Sequence, residues 1–414
     1  MTPDDLASAV LSRLDVRLAD ADAALAADFP GERPDRQPVH TVYVPADRYH
    51  ADLVPSYGAA ALALIDAHAD RFADLVADDD VVARVRAKLA REPVEDLRID
   101  FEDGYGDRAD DEEDADVVRA AQAWAAGRAA NTSAPFGGIR IKCLEAATRG
   151  RAIRTLTSFL AALKEADGTL GGWAVTLPKV TSLDQVEAMV DACALVEDGL
   201  RLPHGGLRFE IQVETPQSVL GPDGSALVAR MVHAGGERLR GLHFGTYDYS
   251  ASCGIVAAHQ SLEHPAADHA KLVMQAAAAG TGVYLSDGST NVLPVGDADA
   301  VAAAWALHHR LVRRSLERGY YQGWDLHPGQ LPTRYAATFA FYRAALGPAL
   351  ERLAAYLAQE TGGIADEPAT ARALASYLLR GLQSGAVDAA EVQAAVGLTG
   401  DDLFRFTHPR FKEA

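Results

Sequence analysis

The sequence predicts an α/β protein built on an eight-stranded (β/α)8 barrel, and three observations support this fold. Short β-rich segments alternate with alanine-rich helical segments, an order typical of a parallel sheet with helical crossovers. There are eight such β-rich segments, the number that closes a barrel. Nearly all of them end in polar residues, and in a barrel all strand ends of one kind meet at a single mouth. An open, doubly wound sheet is the alternative, since counting strands does not separate the two folds.

The predicted strands divide the chain into three parts. The strands are residues 39–44, 97–101, 138–142, 173–177, 207–213, 239–244, 282–286 and 321–326. The polar residues at or just after their ends are Asp103, Arg140, Lys142, Lys179, Glu214, Asp248, Asp287 and His327. We expect an N-terminal helical segment over residues 1–37, the barrel over 38–331 and a C-terminal helical extension over 332–414. The extension is predicted because apolar positions recur at helical spacing after Pro332.

Composition excludes several classes of protein. Apolar residues make up 49% and charged residues 23% of the 414 residues, which is ordinary for a globular chain. The net charge of −19 is spread along the chain and argues against binding to nucleic acid or an anionic membrane. Residues 1–29 are acidic and helix-periodic without a continuous apolar core, so we expect neither a signal peptide nor a membrane span, and a cytoplasmic location. Cys143, Cys193 and Cys253 have no short metal-ligand spacing and are expected to be small core residues.

Two carboxylates follow neighbouring predicted strands and are candidates for a metal site. Glu214 ends the strand 207–213, and Asp248 follows the strand 239–244. Because neighbouring strand ends lie side by side, we expect the two side chains to be close together. Hard oxygen ligands of this kind hold Mg²⁺, which keeps several waters and takes the rest of its shell from an anionic substrate. A structural interpretation stays open, in which Glu214 caps the next helix and Asp248 begins the following one.

Arg140 is the candidate for binding a negatively charged substrate. Side-chain alternation puts it on the same strand face as Lys142. An arginine on a strand is more often a surface residue. The acids Asp100, Glu102 and Asp103 on the preceding strand, however, offer partners that would orient it. A guanidinium held in this way at the barrel mouth would bind a carboxylate or an enolate oxygen.

Other polar features have simpler interpretations. The acidic segment 107–116 is expected to be a solvated helix start rather than a metal site. His308 and His309 are expected to be surface or packed histidines, and the Gly-Gly pair at 137 is assigned to a loop. Lys142 and Lys179 differ, because two of only six lysines fall at strand ends, where a buried amine is able to form a Schiff base with an oxo acid.

Seven short motifs, taken in order, resemble a known family. They are Tyr43-Val44-Pro45-Ala46, Asp100-x-Glu102-Asp103, Ile139-Arg140-Ile141, Leu177-Pro178-Lys179-Val180, Val213-Glu214-Thr215, Gly245-x-x-Asp248 and His327-Pro328-x-Gln330. Together they resemble the HpcH/HpaI aldolase and citrate lyase β-subunit family of the phosphoenolpyruvate/pyruvate barrel superfamily, over about residues 39–331.

The resemblance implies a set of site residues. Glu214 and Asp248 would be the metal carboxylates, for Mg²⁺ or Mn²⁺, and Arg140 would stabilise an enolate. Glu102 and Asp103 would support Arg140 and nearby waters. The predicted substrate-binding residues are Arg140, Lys179, Thr215 and Pro216. An enolate needs fixed positive charge in a dry pocket, which a metal and an arginine supply together.

Two departures from the family pattern qualify this assignment. Asp103 stands where the oxo-acid aldolases carry a histidine base, so a histidine mechanism is not expected and the chain is nearer the citrate lyase and malyl-CoA lyase branch. The region 51–94 and the loop 220–224 look longer than the family's usual elements, which would remodel the substrate pocket.

The predicted function is a magnesium-dependent carbon–carbon lyase that cleaves or forms a 3-hydroxy acid or its coenzyme A thioester. Its partners would be a small oxo or hydroxy acid or an acyl-CoA, with no nucleic acid and no membrane. A homo-oligomer is expected, because the apolar stripes after Pro332 would need a cover. Two alternatives are kept: a Schiff-base aldolase using Lys179 or Lys142, and a non-catalytic barrel serving as a binding or assembly subunit.

Overall fold

The predicted barrel is confirmed by the computed structural model, which describes residues 1–166, 168–358 and 367–408. Eight parallel strands pair in the order β7-β6-β5-β4-β3-β2-β1-β8. A parallel bridge between Ser286 and Gln322 and a 2.8 Å hydrogen bond from the Asp287 amide to the Gln322 carbonyl bring the two edge strands together, so the barrel is nearly closed. The strands are β1 (Thr41–Pro45), β2 (Asp96–Asp100), β3 (Phe136–Arg140), β4 (Trp173–Leu177), β5 (Arg208–Val213), β6 (Leu239–Phe244), β7 (Tyr284–Ser286) and β8 (Trp324–Asp325).

Helices precede, surround and follow the barrel. Up to the middle of the barrel they are α1 (Pro3–Asp28), α2 (Leu53–Ala67), α3 (Ala69–Val76), α4 (Asp79–Arg91), α5 (Asp110–Ala129), α6 (Arg149–Glu165) and α7 (Leu183–Leu200). They continue with α8 (Pro216–Val219), α9 (Leu227–Gly235), α10 (Thr246–Ser252), α11 (Pro265–Ala278) and α12 (Ala298–Glu317). The last are α13 (Leu331–Ala344), α14 (Leu346–Leu357), α15 (Pro368–Ser384), α16 (Ala389–Val396) and α17 (Gly400–Thr407). Single 3-10 turns lie at Ala46–Arg48, Gly236–Arg238, Ala257–His259 and Pro328–Gln330.

All eight predicted strands exist, but β3 begins two residues earlier than expected. The Gly-Gly pair at 137, assigned to a loop, lies inside this strand. A Cβ on Gly138 would stand 1.7 Å from the Ala174 carbonyl oxygen, and one on Gly137 would stand 2.0 Å from the Trp124 ring. Glycine is needed here because a backbone and a buried indole approach closely, and not because the chain turns.

Helix α13 completes the ring of helices around the barrel. It packs between α12 and α4, and almost its entire first half is buried. Pro332 lies in its first turn, where proline is tolerated, and does not break the helix. We therefore propose that the barrel domain extends to Ala344 and that the C-terminal extension begins after it.

The helices after α13 pack on one another and on the barrel. Helix α15 contacts α13, α14 and α17, and α14 contacts α16. In the part of this extension that the structure describes, Leu357 is the one large apolar side chain that is exposed. The apolar stripes behind the oligomer prediction are thus covered within the chain, and the homo-oligomer stays a prediction. No helix of the described chain combines the length and apolarity needed to cross a bilayer.

Two minor sequence expectations have mixed outcomes. Cys143 and Cys193 are buried, but Cys253 is exposed, because it ends α10 at the surface. His308 is a packed histidine, with its Nε2 atom 3.1 Å from the buried carboxylate of Asp325.

Candidate active site at the barrel mouth

Arg140 lies at the end of β3 and is fixed by a carboxylate on the neighbouring strand. Its Nε and Nη2 atoms each donate to Asp100 at 2.6 Å, forming a two-bond fork, and its Nη1 atom is 3.3 Å from Glu102. Asp100 and Arg140 are direct neighbours in the β2–β3 register. Asp100 also accepts the backbone N–H groups of Glu102 and Gly104. Two parallel charge-assisted bonds set the plane of the guanidinium, so Arg140 is a preorganised cation at the mouth.

Glu102 and Asp103 are brought together with Lys179 rather than both with Arg140. The Lys179 ammonium donates to Glu102, and also to Asp103 at 2.6 Å. Burial raises the pKa of Glu102, with the charges of Arg140 and Lys179 opposing it. Burial would also raise the pKa of Asp103, but the hydrogen bond from Lys179 outweighs it and lowers that pKa. Glu102 therefore bridges Arg140 and Lys179, whereas the Asp103 carboxylate forms its ion pair with Lys179 alone among the described residues.

The surroundings of Lys179 favour an ammonium over a free amine. Burial would lower its pKa, but the charge of Glu102 and the hydrogen bond to Asp103 outweigh burial and raise it. Schiff-base lysines need the opposite shift. The second candidate, Lys142, donates to the Phe101 carbonyl at 2.8 Å and lies 3.3 Å from the buried Glu113. Glu113 is the exception in the acidic segment 107–116, which otherwise forms the solvated start of α5.

Glu214 follows β5 and is almost completely buried, with 1% of its surface exposed. Its Oε1 atom accepts the backbone N–H of Lys179 at 2.7 Å. Lys179 has a positive φ of 49°, an unusual conformation for a non-glycine residue that directs this N–H toward the carboxylate. Gly245 makes room for the side chain, since a Cβ there would stand 2.4 Å from the Glu214 Oε2 atom.

Asp248 lies in the first turn of α10, half-buried, and acts on Glu214. Burial, and next the negative charge of Asp248, raise the pKa of Glu214 to about 8. The two predicted metal carboxylates are therefore close enough to repel each other. The structural interpretation is wrong for Glu214, because Thr215 and not Glu214 caps α8. Asp248 does lie at a helix start, in the first turn of α10.

These residues fit a divalent cation. The Oε2 atom of Glu214 and both oxygens of Asp248 have no hydrogen bond or ion pair within the described part of the chain. Across the described residues no group of three or more His, Cys, Asp or Glu side chains is arranged to hold a metal. Two carboxylate ligands, with water and substrate oxygens completing the shell, match the preference of Mg²⁺ and not that of a structural zinc site.

Thr215 and Pro216 support the backbone of the site. The Thr215 hydroxyl donates to the Val180 carbonyl at 2.5 Å and accepts the Ser218 N–H at 3.2 Å. Pro216 occupies the first turn of α8. Since the hydroxyl is already engaged, Thr215 joins the loop after β4 to the loop after β5, and both residues stay predictions as substrate contacts.

An aromatic layer below Arg140 was not predicted. The rings of Tyr43 and Trp324 lie 4.4 Å apart, and the Arg140 guanidinium carbon is 5.0 Å from the Tyr43 ring centre. The Tyr43 hydroxyl is buried and has no hydrogen-bond partner among the described residues. The same holds for both amide atoms of Gln212, which shares a face of β5 with Glu214. Alternation along β1 and β5 is the signal that marks these polar side chains as pointing into the barrel.

Below the aromatic layer lies a second charged group that the sequence did not reveal. Arg98 donates to Glu210 at 2.7 and 2.9 Å and also pairs with Asp96. The Nε2 atom of His243 is 3.1 Å from Glu210. Barrel interiors are usually filled by branched apolar side chains. We name Asp96, Arg98, Glu210 and His243 the interior charge network.

Comparisons with solved structures return proteins of the resembled group. A Haloferax volcanii malate synthase, determined as a lead(II) complex, matches with a TM-score of 0.50 and 14% identity over 87% of this chain and 92% of its own. A Mycobacterium tuberculosis CitE in complex with magnesium and acetoacetate matches with a TM-score of 0.45 and 17% identity, covering 83% and 98%. A Burkholderia cenocepacia HpcH/HpaI aldolase/citrate lyase family protein has a TM-score of 0.41 and 16% identity, covering 78% and 96%.

At these identities the structural matches show the fold alone, a (β/α)8 barrel like the one expected from the resemblance. No curated protein sequence matches the chain. A family model, described as a domain of unknown function (DUF6986), matches residues 18–411. This match spans nearly the whole chain, which therefore belongs to the DUF6986 family.

Proposed function

We propose that the chain is a divalent-metal-dependent carbon–carbon lyase acting through an enolate. One observation carries the proposal: two carboxylates with free oxygens, Glu214 and Asp248, lie at the same barrel mouth as the fixed guanidinium of Arg140. Bound at these carboxylates, Mg²⁺ or Mn²⁺ would act as a Lewis acid toward a carbonyl oxygen.

The chain's own residues would bind and orient the substrate. Asp100 and Glu102 engage all three Arg140 nitrogens, and the second N–H of each Nη atom would bind a carboxylate or enolate oxygen. The buried surroundings of Arg140 and Glu214 strengthen such charge interactions because water is largely excluded. The general base is left unassigned, as Asp103 is engaged by Lys179.

The proposed substrate is a 3-hydroxy acid or its coenzyme A thioester, and the condensation would run over the same enolate. Two of the matched structures, both Mycobacterium tuberculosis CitE, were determined with magnesium and acetoacetate, one of them also with coenzyme A. That chemistry is extended to this chain only as part of the proposal. A small-molecule acid or acyl-CoA is accordingly the proposed partner.

Solvent-deuterium exchange tests the enolate step without knowledge of the full substrate. Pyruvate and a set of acyl-CoA thioesters are incubated with the protein in D₂O and Mg²⁺, and exchange at the carbon next to the carbonyl is followed by NMR. We expect exchange that stops with a chelator and in Glu214→Ala. Exchange that persists under both conditions would contradict the metal mechanism. A borohydride-trapped adduct on Lys179 or Lys142 would instead establish the Schiff-base alternative.

A non-catalytic barrel is distinguished in the same experiment. It would bind an oxo acid without any exchange or turnover. Buried charges that converge without a partner destabilise a fold unless something uses them, which favours an active site over a vestigial one.

A further inference from the structure

Helix α1 presents an apolar face that the rest of the described chain leaves uncovered. It is 26 residues long and has no buried residue. More large apolar side chains are exposed on α1 than on any other element of the described chain; they are Leu6, Val10, Leu11, Leu14, Val16, Leu18 and Leu25. Such a continuous exposed apolar surface marks an interaction site.

The apolar residues of α1 follow the spacing of a coiled-coil seam. Leu11, Leu18 and Leu25 are seven residues apart, and Leu14 lies between the first two at the intervening core position. Ala7 and Ala21 occupy the remaining core positions. Val16, which is 82% exposed, lies on the opposite side of the helix. The seam is therefore wide enough for one partner helix. A groove that enclosed α1 would also have to cover Val16 on the opposite side.

Among the described residues, the contacts that join the helix to the body lie at its C-terminal end, where the Asp28 carboxylate is also 3.9 Å from His233. Phe29 packs edge-on against His233 at 5.6 Å, and the Gly31 amide donates to the Gly280 carbonyl at 2.8 Å. An anionic membrane is a poor partner because acids outnumber arginines on α1; the charged residues are Asp4, Asp5, Asp15, Asp20, Asp22 and Asp28 against Arg13 and Arg17.

We propose that α1 pairs with α1 of a second copy of this chain as a parallel, in-register two-stranded coiled coil. The charges beside the seam favour this orientation. In a parallel pair, Arg17 lies opposite Asp22 of the partner subunit, and the contact occurs twice. An antiparallel pair centred on the seam would put Arg17 beside Arg17 of the partner subunit and Asp15 beside Asp15 of the partner subunit.

The size of the face sets the expected affinity. Twenty-six residues give a helix about 39 Å long and about 10 Å wide. Pairing two such faces would bury on the order of 1,000 Å² in total, the lower end for a specific interface. We therefore expect a dimer that dissociates on dilution, with the two barrels folding independently of it.

Light scattering of the full chain over the micromolar range tests the pairing. Wild type should show a mass of twice 43.9 kDa at the higher concentrations. The double variant Leu14→Asp/Leu18→Asp should be monomeric with unchanged barrel unfolding temperature. Val16→Asp adds the same charge to the outer side and should leave the dimer intact. A monomeric wild type, or a dimer that tolerates the Leu14→Asp/Leu18→Asp change, would overturn the proposal.

Charge reversal tests the orientation. Arg17→Asp should weaken the dimer at least about tenfold in Kd, and Arg17→Asp combined with Asp22→Arg should restore most of it. Leu14→Cys, made in a Cys253→Ser background, should form a disulfide-linked dimer on mild oxidation, because position 14 faces itself in a parallel pair. Failure of both the rescue and the crosslink would rule out the parallel arrangement.

Discussion

Glu210 on β5 and Glu214 directly after the strand, four residues apart, have opposite electrostatic environments. Glu210 is enclosed by Arg98 and His243, whose charges outweigh burial and hold its pKa well below the ordinary value. Glu214 is equally buried, but the neighbouring charge of Asp248 adds to burial and raises its pKa to about 8. Burial is thus common to both residues, and the neighbouring charges decide the sign of the shift.

The difference separates carboxylates that are paired within the fold from carboxylates whose oxygens are open to a ligand. In the interior charge network each carboxylate has a cation and hydrogen bonds; Glu210 also accepts the Thr176 hydroxyl at 2.6 Å. At the mouth, the free oxygens of Glu214 and Asp248 have no such partner within the described chain. A buried carboxylate left in that state needs a proton or a cation, and this is why we assign the metal to the mouth.

The largest expected effects come from removing one carboxylate at the barrel mouth and one in the interior charge network. Glu214→Gln should lower metal-dependent exchange at least about 1,000-fold with little loss of stability, because a ligand is removed and a repulsion relieved. Glu210→Gln should cost about 3–5 kcal/mol in the free energy of unfolding, because Arg98 loses one of its two buried carboxylate partners and His243 loses its own. Urea unfolding and deuterium exchange measure the two effects.

The control for these variants is Glu263→Gln, which breaks a surface pair with Arg310. It should cost less than about 1 kcal/mol and leave exchange unchanged. If Glu214→Gln proved as destabilising as Glu210→Gln, the distinction between the barrel mouth and the interior charge network would be wrong.

Arg140→Lys should reduce exchange about 100-fold while the protein stays folded. A lysine keeps the charge but loses the fork that Asp100 holds in place. Arg71→Lys, at an exposed pair with Asp299, is the matched control and should have wild-type activity. Activity within about threefold of wild type in Arg140→Lys would remove this arginine from the site.

The metal-free protein should become less stable as pH rises toward 8. Because the pKa of Glu214 in the folded state is raised to about 8, the folded protein binds more protons than the unfolded chain between about pH 4.5 and 8. Stability is therefore lost over this window, by about 5 kcal/mol at most.

Mg²⁺ should cancel that loss, since a cation compensates the ionised carboxylate. Thermal unfolding across pH, with Mg²⁺ and with a chelator, measures the effect, and Glu214→Gln should abolish it. A Mg²⁺ stabilisation that did not grow with pH would show that Glu214 does not ligate the ion.

The smallest effect is expected at Asp103. Its side chain is more than half exposed and forms its ion pair with Lys179, so Asp103→Asn should change exchange by no more than about threefold. Glu102→Gln should do more, since Glu102 also lies against Arg140. Initial rates of the two variants, compared side by side, decide whether Asp103 belongs to the reacting part of the site.

By itself the sequence predicted the eight strands along the chain and favoured the barrel over an open sheet, because strand and helix periodicities depend on neighbouring residues. It also identified the candidate residues at the mouth, since strand ends of one kind converge in any parallel barrel. The sequence did not predict which charged residues pair with one another. The β2–β3 register makes Asp100 the main partner of Arg140. The backbone conformation at Lys179 brings that lysine to Asp103.

The tertiary structure alone decided which charged residues are structural and which are available for chemistry. Sequence spacing cannot separate Glu210 from Glu214, because the alternation along β5, continued to the residue after it, puts both on the same face. Only the side chains arriving from other strands, Arg98 and His243 for one and Asp248 for the other, differ between them. Those neighbours lie far away in sequence, and the closing of the barrel brings them within reach of the two carboxylates.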